Sequence, residues 1–540
     1  MVMKGKQEAK DRQARELTLA KRLLIGETIT RNSRRFPDKE ALIYGDTRLT
    51  YKQFNSRTNR LAHALMDLGI KKGSRVAILS FNCNQFLETY YALAKIGAVA
   101  VPLNFRLHPE ELTYMADNSD AEAFVMGEAF VETVETIRKD LPKVKHYVSI
   151  TEKPVKGMLH YESWIAKSPD DEPLVLVDEE DPAFIMYTAG TTGKPKGAVI
   201  THENEVVMWM LVSPLVYAEV GEPMGEILKY RICSPPPVFH LAAFGFCQFC
   251  FFQGLTVILP KEVFDPAEIM TLIQKERIGA ILMIPAMATF LMMLPDLDKY
   301  DASSLKVWVT GAAILPTETR RQIEKYFPSV KIFDIFGQTE MSPVVSCLPP
   351  SESQGRETSV GRVIHGIEMR VVDDSDNDVP LGAVGEAIYR GPTVMKEYYK
   401  NPEATAEAVK GGWFHGGDLV RQDAEGYIYV VDRKKDMIIS GGENIYPAEI
   451  EETLYRHPKI MDCAVIGVYD PEWGESVKAC VVCKPGEVLT EKEVIDYCKQ
   501  HLASYKKPKS VDFMDSLPRT PTGKVLKRVL REKYGKSVRY

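Results

Sequence analysis

Strong charge of either sign is missing from this 540-residue chain: 68 lysines and arginines face 74 aspartates and glutamates, a net charge of −6. A nucleic-acid-binding domain carries a basic stripe or patch, so no nucleic acid is expected as a partner. Cysteine is sparse. The nine present form an odd set with no compact framework, which points to a reducing compartment rather than a disulfide-stapled secreted domain. Cys247 with Cys250 and Cys480 with Cys483 form CxxC pairs, yet neither has a His or Cys cluster nearby at zinc-site spacing, so they read as buried small hydrophobes. Residues 1–24 mix both charges and lack the apolar segment of a secretory signal, so a cytoplasmic location is expected. Lys4, Lys6, Lys10, Arg12, Arg15, Lys21 and Arg22 leave weak peripheral contact with an anionic membrane open, whereas Glu8, Asp11 and Glu16 favour a solvated helix. Leu241 to Pro260 has membrane-spanning length and no charge. Gln248, Gln253 and Gly254 divide it, and the pattern predicts a buried helix leading into a buried strand, Leu255 to Leu259. There is no internal repeat and no low-complexity segment.

A chain of this length exceeds what one core usually supports, so two or more domains are expected. Tyr51 to Leu68 is amphipathic, Val76 to Leu79 apolar, Gln85 to Ile96 helical and Val99 to Leu103 apolar. The alternation returns in Pro266 to Glu276 followed by Ala280 to Ile284, and in Thr317 to Phe327 followed by Lys331 to Ile335. This punctuation predicts buried parallel strands covered by helices. After Gly355, hairpin-like strands at Met369 to Val372 and Glu386 to Arg390, separated by polar turns such as Asp373 to Asp378, imply a β-rich subdomain over about 355–432. The charged run Asp432 to Asp436 separates a strand at Tyr427 to Val431 from apolar Met437 to Ile439. Beyond it, Pro447 to His457 and Glu491 to His501 read as helices, and Ala464 to Val468 and Lys478 to Cys483 as strands. The expected fold class is α/β: a large N-terminal domain of βα-layered sheets over 1–432, a hinge at 433–436, and a small α+β C-terminal domain over 437–540.

The most informative stretch is Tyr187 to Gly197, YTAGTTGKPKG. Gly190, Gly193 and Gly197 permit close backbone approach, so successive N–H groups can converge on an anion while Thr188, Thr191, Thr192, Lys194 and Lys196 add donors around it. A nucleoside triphosphate is the natural guest. A P-loop needs four residues between its first glycine and the Gly-Lys pair, followed by Ser or Thr. Here only Thr191 and Thr192 lie between Gly190 and Gly193, and Pro195 follows Lys194, so that motif is excluded.

Further motifs follow in order: DIFGQTE at 334–340, WFHGGD at 413–418, DRKKDMIISGGENIYPAEIE at 432–451, and PRTPTGKVLKR at 518–528. Together with the glycine-rich loop they resemble the adenylate-forming superfamily, which includes acyl-CoA synthetases, peptide-synthetase adenylation domains and firefly luciferase. The resemblance runs from Tyr187 to Lys524 with a compatible N-terminal part.

That resemblance implies the use of ATP, Mg²⁺ and coenzyme A and assigns roles by position. The loop from Thr188 to Lys196 would hold the β and γ phosphates, with Ala189 standing where the family usually has serine. Glu340 would be the magnesium carboxylate, since Mg²⁺ typically takes one or two protein carboxylates together with substrate phosphates. Thr339 would donate to the α-phosphate. Phe336 would stack on adenine, Asp334 would accept from its exocyclic amine, and Gly311, Ala312 and Ala313 would line the base. Asp418 would accept from both ribose hydroxyls with Arg433 beside it, and Gly416 replaces a common threonine. Lys524 would be the catalytic lysine of adenylation. The C-terminal domain of the family swings between two poses, with Lys435 at the hinge position. Gly441, Gly442 and Trp473 would border a pantetheine tunnel, and His240 would stand between acyl and thiol channels.

Acetate-type members carry tryptophan where this chain has Gly337, so an open acyl pocket is expected, with Phe239, Phe244, Trp308, Val309, Ala312, Ala313 and Met341 as candidate walls. No charged residue offers to anchor an amino group, which an amino-acid substrate would need on burial. The expected substrate is an apolar carboxylic acid, either medium- to long-chain fatty or aromatic/alicyclic. The sequence stops at Tyr540 with no carrier-protein domain, which favours a CoA ligase; an enzyme loading a separate acyl carrier protein is the alternative. A monomer and a homodimer are equally compatible with the sequence.

Overall fold

The computed structural model describes residues 2–188, 194–261, 264–313, 315–434, 436–440, 443–519 and 525–535, with side chains from Lys10 onward. Among the described residues, two large sheets build the N-terminal part. The first has nine strands. Its parallel centre runs in the order Lys331–Phe336, Val307–Gly311, Ile278–Leu282, Arg231–Cys233, Thr256–Leu259, Glu40–Tyr44, and antiparallel strands close both edges. The second has eight strands. Pro182–Thr188, Val99–Pro102, Arg75–Leu79, Ala121–Gly127, His146–Ile150 and Leu159–His160 are parallel, while Lys196–Thr201 and Glu397–Tyr398 run antiparallel at one edge.

Helix signals in the sequence explain the layers. Thr50 and Gln53 form a reciprocal capping box that starts Tyr51–Asp67. Asn84–Ile96 crosses between the parallel strands Arg75–Leu79 and Val99–Pro102, and Gly97 ends it in the left-handed region at φ 67°. Leu241 to Pro260 forms the expected helix, Leu241–Gln253, followed by the buried strand Thr256–Leu259. Gly254 turns between them at φ 76°, and a Cβ there would lie 2.7 Å from the Phe36 ring. Among the described residues no helix is long and apolar enough to cross a membrane.

Where element bounds differ from expectation, pairing is the cause. The strand expected from Ala280 begins at Ile278, because Arg277 adopts a left-handed φ of 53° and ends helix Pro266–Glu276 without an intervening loop. The strand expected over 464–468 is Ile460–Asp470, held along its length by an antiparallel hairpin with Gly474–Cys483. Ile428–Arg433 runs two residues beyond the expected end, since Leu419 pairs with Asp432 and Asp418 with Arg433.

Glu368–Val372, Gly385–Arg390, Trp413–Gln422 and Ile428–Arg433 form the antiparallel β-rich unit together with Val409–Lys410. The C-terminal module is α+β: a five-stranded sheet with helices Pro447–Tyr455, Glu491–His501 and Lys527–Tyr534, and apolar clusters of its own. All nine cysteines are free and all but Cys483 are buried.

A buried ammonium ties the N-terminal helices together. Lys95, on Asn84–Ile96, donates at 2.7 Å to each of Thr30, Asn55, Asn59 and Glu172. Burial pushes the Glu172 carboxyl up, but Lys95 and the Asn55 amide outweigh it and hold the group below its ordinary value. Lys95→Met strands that carboxylate, and the expected loss at pH 7 is about 3–5 kcal/mol, read as a lower urea midpoint. A carboxyl held low contributes stability above its ordinary pKa and loses it as pH falls through the folded value. The gap between wild type and variant therefore closes below about pH 4.

Candidate functional site

The glycine-rich segment joins the two strands of a hairpin. Pro182–Thr188 and Lys196–Thr201 pair antiparallel, with Thr188 opposite Lys196, so the loop leaves and re-enters the sheet at one rung. Ala189, Gly190, Thr191, Thr192 and Gly193 lie outside the described residues. Thr188 Oγ1 donates to Glu340 Oε1 at 3.0 Å, and the Tyr398 hydroxyl donates to the same oxygen at 2.8 Å. The Glu340 backbone carbonyl accepts from Met395 N at 2.8 Å. Burial first, then the charge of Glu340, raises the Tyr398 hydroxyl well above its ordinary pKa, so it stays a donor. Lys196 Nζ lies 5.2 Å from the Tyr398 ring centroid, and Lys194 Nζ lies 5.1 Å from that of Tyr114. Both lysines therefore stand over aromatic faces at the loop's exit.

Glu340 and Thr339 sit on a single 3₁₀ turn, Thr339–Met341, just beyond strand Lys331–Phe336. Gly337 lies between the strand and that turn, and a Cβ there would lie 2.1 Å from the Pro343 carbonyl oxygen. The sequence reading takes Gly337 as a pocket left open. The fold adds a stricter reason, because the backbone closes on itself and no side chain fits unless residues 343–345 move. Mg²⁺ suits these donors. Glu340 offers one carboxylate, and among the described residues no cluster of three or more His, Cys, Asp or Glu could hold an ion alone. The remaining ligands would be phosphate oxygens and water, the usual pattern for this ion.

Gly311 ends the neighbouring strand Val307–Gly311, and Ala312 and Ala313 follow it. Gly311 pairs with Ile335, and an added Cβ would lie 2.6 Å from the Ile335 carbonyl oxygen. Ala312 holds a left-handed φ of 69°, at a cost of about 1–2 kcal/mol for a residue with a Cβ. Asp334 and Phe336 stand at the carboxyl end of the adjacent strand, where open α/β sheets place their ligands. Arg320 donates to Asp334 in a buried ion pair. Asp418 is buried, with Arg433 Nε 2.7 Å from Oδ1 and Gln338 Nε2 3.4 Å from Oδ2. Arg433 also donates to the Gly416 carbonyl at 2.9 Å. A Cβ on Gly416 would lie 2.0 Å from Gln338 Nε2, so the glutamine amide fills the space that a threonine would take.

His240 precedes helix Leu241–Gln253, its ring 4.2 Å from that of Phe239. Trp473 lies at the tip of the hairpin between Ile460–Asp470 and Gly474–Cys483, 44 % exposed, with Lys509 Nζ 5.3 Å from its ring. Lys435, Gly441, Gly442 and Lys524 lie outside the described residues. The expected pocket walls do not all face one way. Trp308 and Val309 are successive strand residues and point to opposite faces. Trp308 is buried in a cluster with Phe327 on one side of the sheet, while Val309 packs against the larger core that holds Phe239 and Met341. Trp308 is therefore no wall of a pocket shared with Val309. Phe244 lies in core packing, its ring 4.0 Å from that of Tyr90. Tyr398, Gln338 and Arg320 join the site from outside the sequence assignments. Gln338 lies inside DIFGQTE, whereas Tyr398 and Arg320 belong to no motif and arrive through sheet pairing and helix packing.

The chain matches the AMP-binding enzyme family over residues 29–399 and the AMP-binding enzyme C-terminal domain over residues 449–524. It is 38 % identical over 514 residues to a feruloyl-CoA synthase of an Amycolatopsis species, covering 95 % of this chain and 99 % of that protein. It is 36 % identical over 503 residues to the long-chain-fatty-acid–CoA ligase FadD13 of Mycobacterium tuberculosis, covering 91 % of this chain and 94 % of that protein. Among solved structures, an anthranilate CoA ligase in complex with anthranoyl-AMP superposes with TM-score 0.87 at 27 % identity, over 95 % of this chain and 97 % of the other. A Mycobacterium tuberculosis fatty acyl CoA synthetase gives TM-score 0.75 at 33 % identity, over 95 % and 98 %.

Removing the Tyr398 hydroxyl takes one of two side-chain donors from the Glu340 oxygen. Tyr398→Phe is expected to weaken binding of Mg·ATP about tenfold, from the loss of one charge-assisted hydrogen bond, with metal-free ATP bound equally by both proteins in calorimetric titration. An unchanged Mg·ATP affinity would remove Tyr398 from the site.

Proposed function

This chain belongs to the AMP-binding, adenylate-forming enzyme family, and we propose that it activates an apolar carboxylic acid as its acyl-adenylate before passing the acyl group to coenzyme A. At the level of reaction class it is an ATP-dependent acid–CoA ligase that uses ATP, Mg²⁺ and CoA. The observation that carries the site reading is the meeting of Thr188, Tyr398 and Glu340 at the base of the glycine-rich hairpin. It puts a single buried carboxylate beside a loop rich in amide, hydroxyl and ammonium donors.

In the first half-reaction a carboxylate oxygen forms a bond to the α-phosphorus of ATP, and the bond to the β-phosphate bridging oxygen breaks, releasing pyrophosphate. Catalysis of this step is positioning and charge stabilisation. Glu340 would hold Mg²⁺, which would supply neutralisation of phosphate charge when bound. Thr188, Lys194 and Lys196 hold the terminal phosphates, Thr339 donates to the α-phosphate, and Lys524 meets the negative charge that develops there. Asp418 and Arg433 hold the ribose, and Asp334 and Phe336 the base. In the second half-reaction the CoA sulfur attacks the acyl carbon, the thiol gives up its proton, and AMP leaves. The C-terminal module, from 437 onward, turns about Lys435 between the two steps and brings Trp473, Gly441 and Gly442 to the thiol channel beside His240.

The acid is an apolar one, fatty or aromatic/alicyclic. Similar proteins act on ferulate, long-chain fatty acids and indoleacetate by name, and Val309 packs against the apolar cluster that holds Met341 and Phe239.

The test is AMP release with ATP and Mg²⁺ across fatty, benzoic and alicyclic acids, each with and without CoA. CoA-dependent turnover with at least one apolar acid is expected; pyrophosphate exchange without CoA-dependent turnover would assign another acceptor, such as a carrier protein. Lys524→Ala is expected to lower adenylation at least about a hundredfold, the scale of one lost electrostatic stabiliser, while sparing thioester formation from preformed acyl-adenylate. Equal loss in both steps would refute the role given to Lys524.

A further inference from the structure

Asp334 is held by a residue that no motif contains. Arg320 stands on helix Thr317–Tyr326, which packs over the strands Val307–Gly311 and Lys331–Phe336, and its Nη2 engages Asp334 Oδ2. Both groups are withdrawn from solvent, with side chains 3 % and 13 % exposed. Thr310 lies directly opposite Asp334 in the sheet register, yet its hydroxyl makes no hydrogen bond among the described residues. Among those residues the guanidinium is thus the one group that holds this carboxylate.

Two consequences follow from elementary chemistry. Burial raises the Asp334 carboxyl above its ordinary value, and Arg320 opposes that rise without cancelling it. A neutral carboxylic acid donates as well as accepts, whereas a carboxylate only accepts, and a guanidinium never gives up its charge. A guanidinium hold on Oδ2 also fixes where the other oxygen points. A fixed acceptor suits the 6-amino group of adenine and opposes the 6-carbonyl of inosine or guanine, which presents an acceptor in the same place.

We propose that Arg320 is a positioning residue for the nucleotide base: by engaging Oδ2 of Asp334 it keeps Oδ1 aimed at the 6-amino group, and so sets the preference for 6-amino over 6-oxo purine triphosphates. The inference rests on the reading that Asp334 meets the base.

The test uses the full chain with saturating acid and CoA, and measures pyrophosphate release against varied ATP or ITP. Arg320→Met is expected to raise the KM for ATP and to shrink the ATP-over-ITP ratio of kcat/KM, each about tenfold, with kcat at saturating ATP within about threefold of wild type. Arg320→Lys should recover part of both losses. Asp334→Ala should shrink the ratio as well, and adding Arg320→Met to it should change the ratio no further, because the arginine acts through the aspartate. That double variant removes both buried charges together and strands neither. If Asp334→Ala shifts the ratio and Arg320→Met does not, the proposal is overturned and the base reading stands. If Asp334→Ala leaves the KM and the ratio unchanged, the base reading falls and the proposal with it. Should Arg320→Met fail to fold, Arg320→Lys decides: a smaller ATP preference supports the proposal, and equal losses on both nucleotides reduce the pair to a structural one.

Discussion

The Glu340 carboxylate is the point on which the site depends, because it joins two sheets that share no strand. It follows the last central strand of the nine-stranded sheet, while both its side-chain donors, Thr188 and Tyr398, come from the eight-stranded sheet. The Met395 amide, two residues before the short strand Glu397–Tyr398, holds its backbone carbonyl as well. The hydrogen bonds to this carboxylate therefore also fix the hairpin of Pro182–Thr188 and Lys196–Thr201 relative to the carboxyl end of strand Lys331–Phe336.

Much of this arrangement is legible in the sequence because motif and element coincide. DIFGQTE reads as strand, turn and carboxylate, and the fold places Phe336, Gly337 and Glu340 on those three elements in turn. The alternation of helix and strand patterns from Tyr51 onward identifies the layers, since buried parallel strands and amphipathic helices have different periods. What escapes is whatever depends on pairing between distant segments. Tyr398 reaches Glu340 because Glu397–Tyr398 adds to the edge strand Lys196–Thr201, far earlier in the chain, and no local pattern in EYYK carries that information. The pocket walls show the converse limit. Trp308 and Val309 are both apolar and both near the site in sequence, and only the pleat, once the strand is placed between two cores, separates them.

Buried ion pairs recur through the N-terminal part: Lys95 with Glu172, Arg57 with Glu88, Arg320 with Asp334, Arg433 with Asp418. Desolvation offsets much of the Coulomb attraction in such pairs, so they are weak evidence of stability and better evidence of fixed geometry. The last two lie at the candidate site, while the first two lie among the N-terminal helices. On the proposed reading the same device serves packing in one place and orientation of an acceptor in another, and the difference lies in whether the carboxylate keeps a face toward the site.

The same logic bears on how the C-terminal module communicates with the nucleotide. Asp432 and Arg433 are successive residues of one strand, so their side chains leave opposite faces. Arg433 turns to Asp418 and the Gly416 carbonyl. Asp432 turns to the module, where it accepts from the Ala448 amide in the first turn of helix Pro447–Tyr455, a favourable place for a carboxylate. One dipeptide therefore holds Asp418 with one side chain and caps a helix of the module with the other. If the module rotates about residues beyond Arg433, as proposed, Asp432 parts from Ala448, whereas Arg433 and Asp418, paired across a strand register, stay together. The proposed nucleotide contacts and the contacts that such a rotation would break are thus separated by a single peptide bond and by the pleat of one strand.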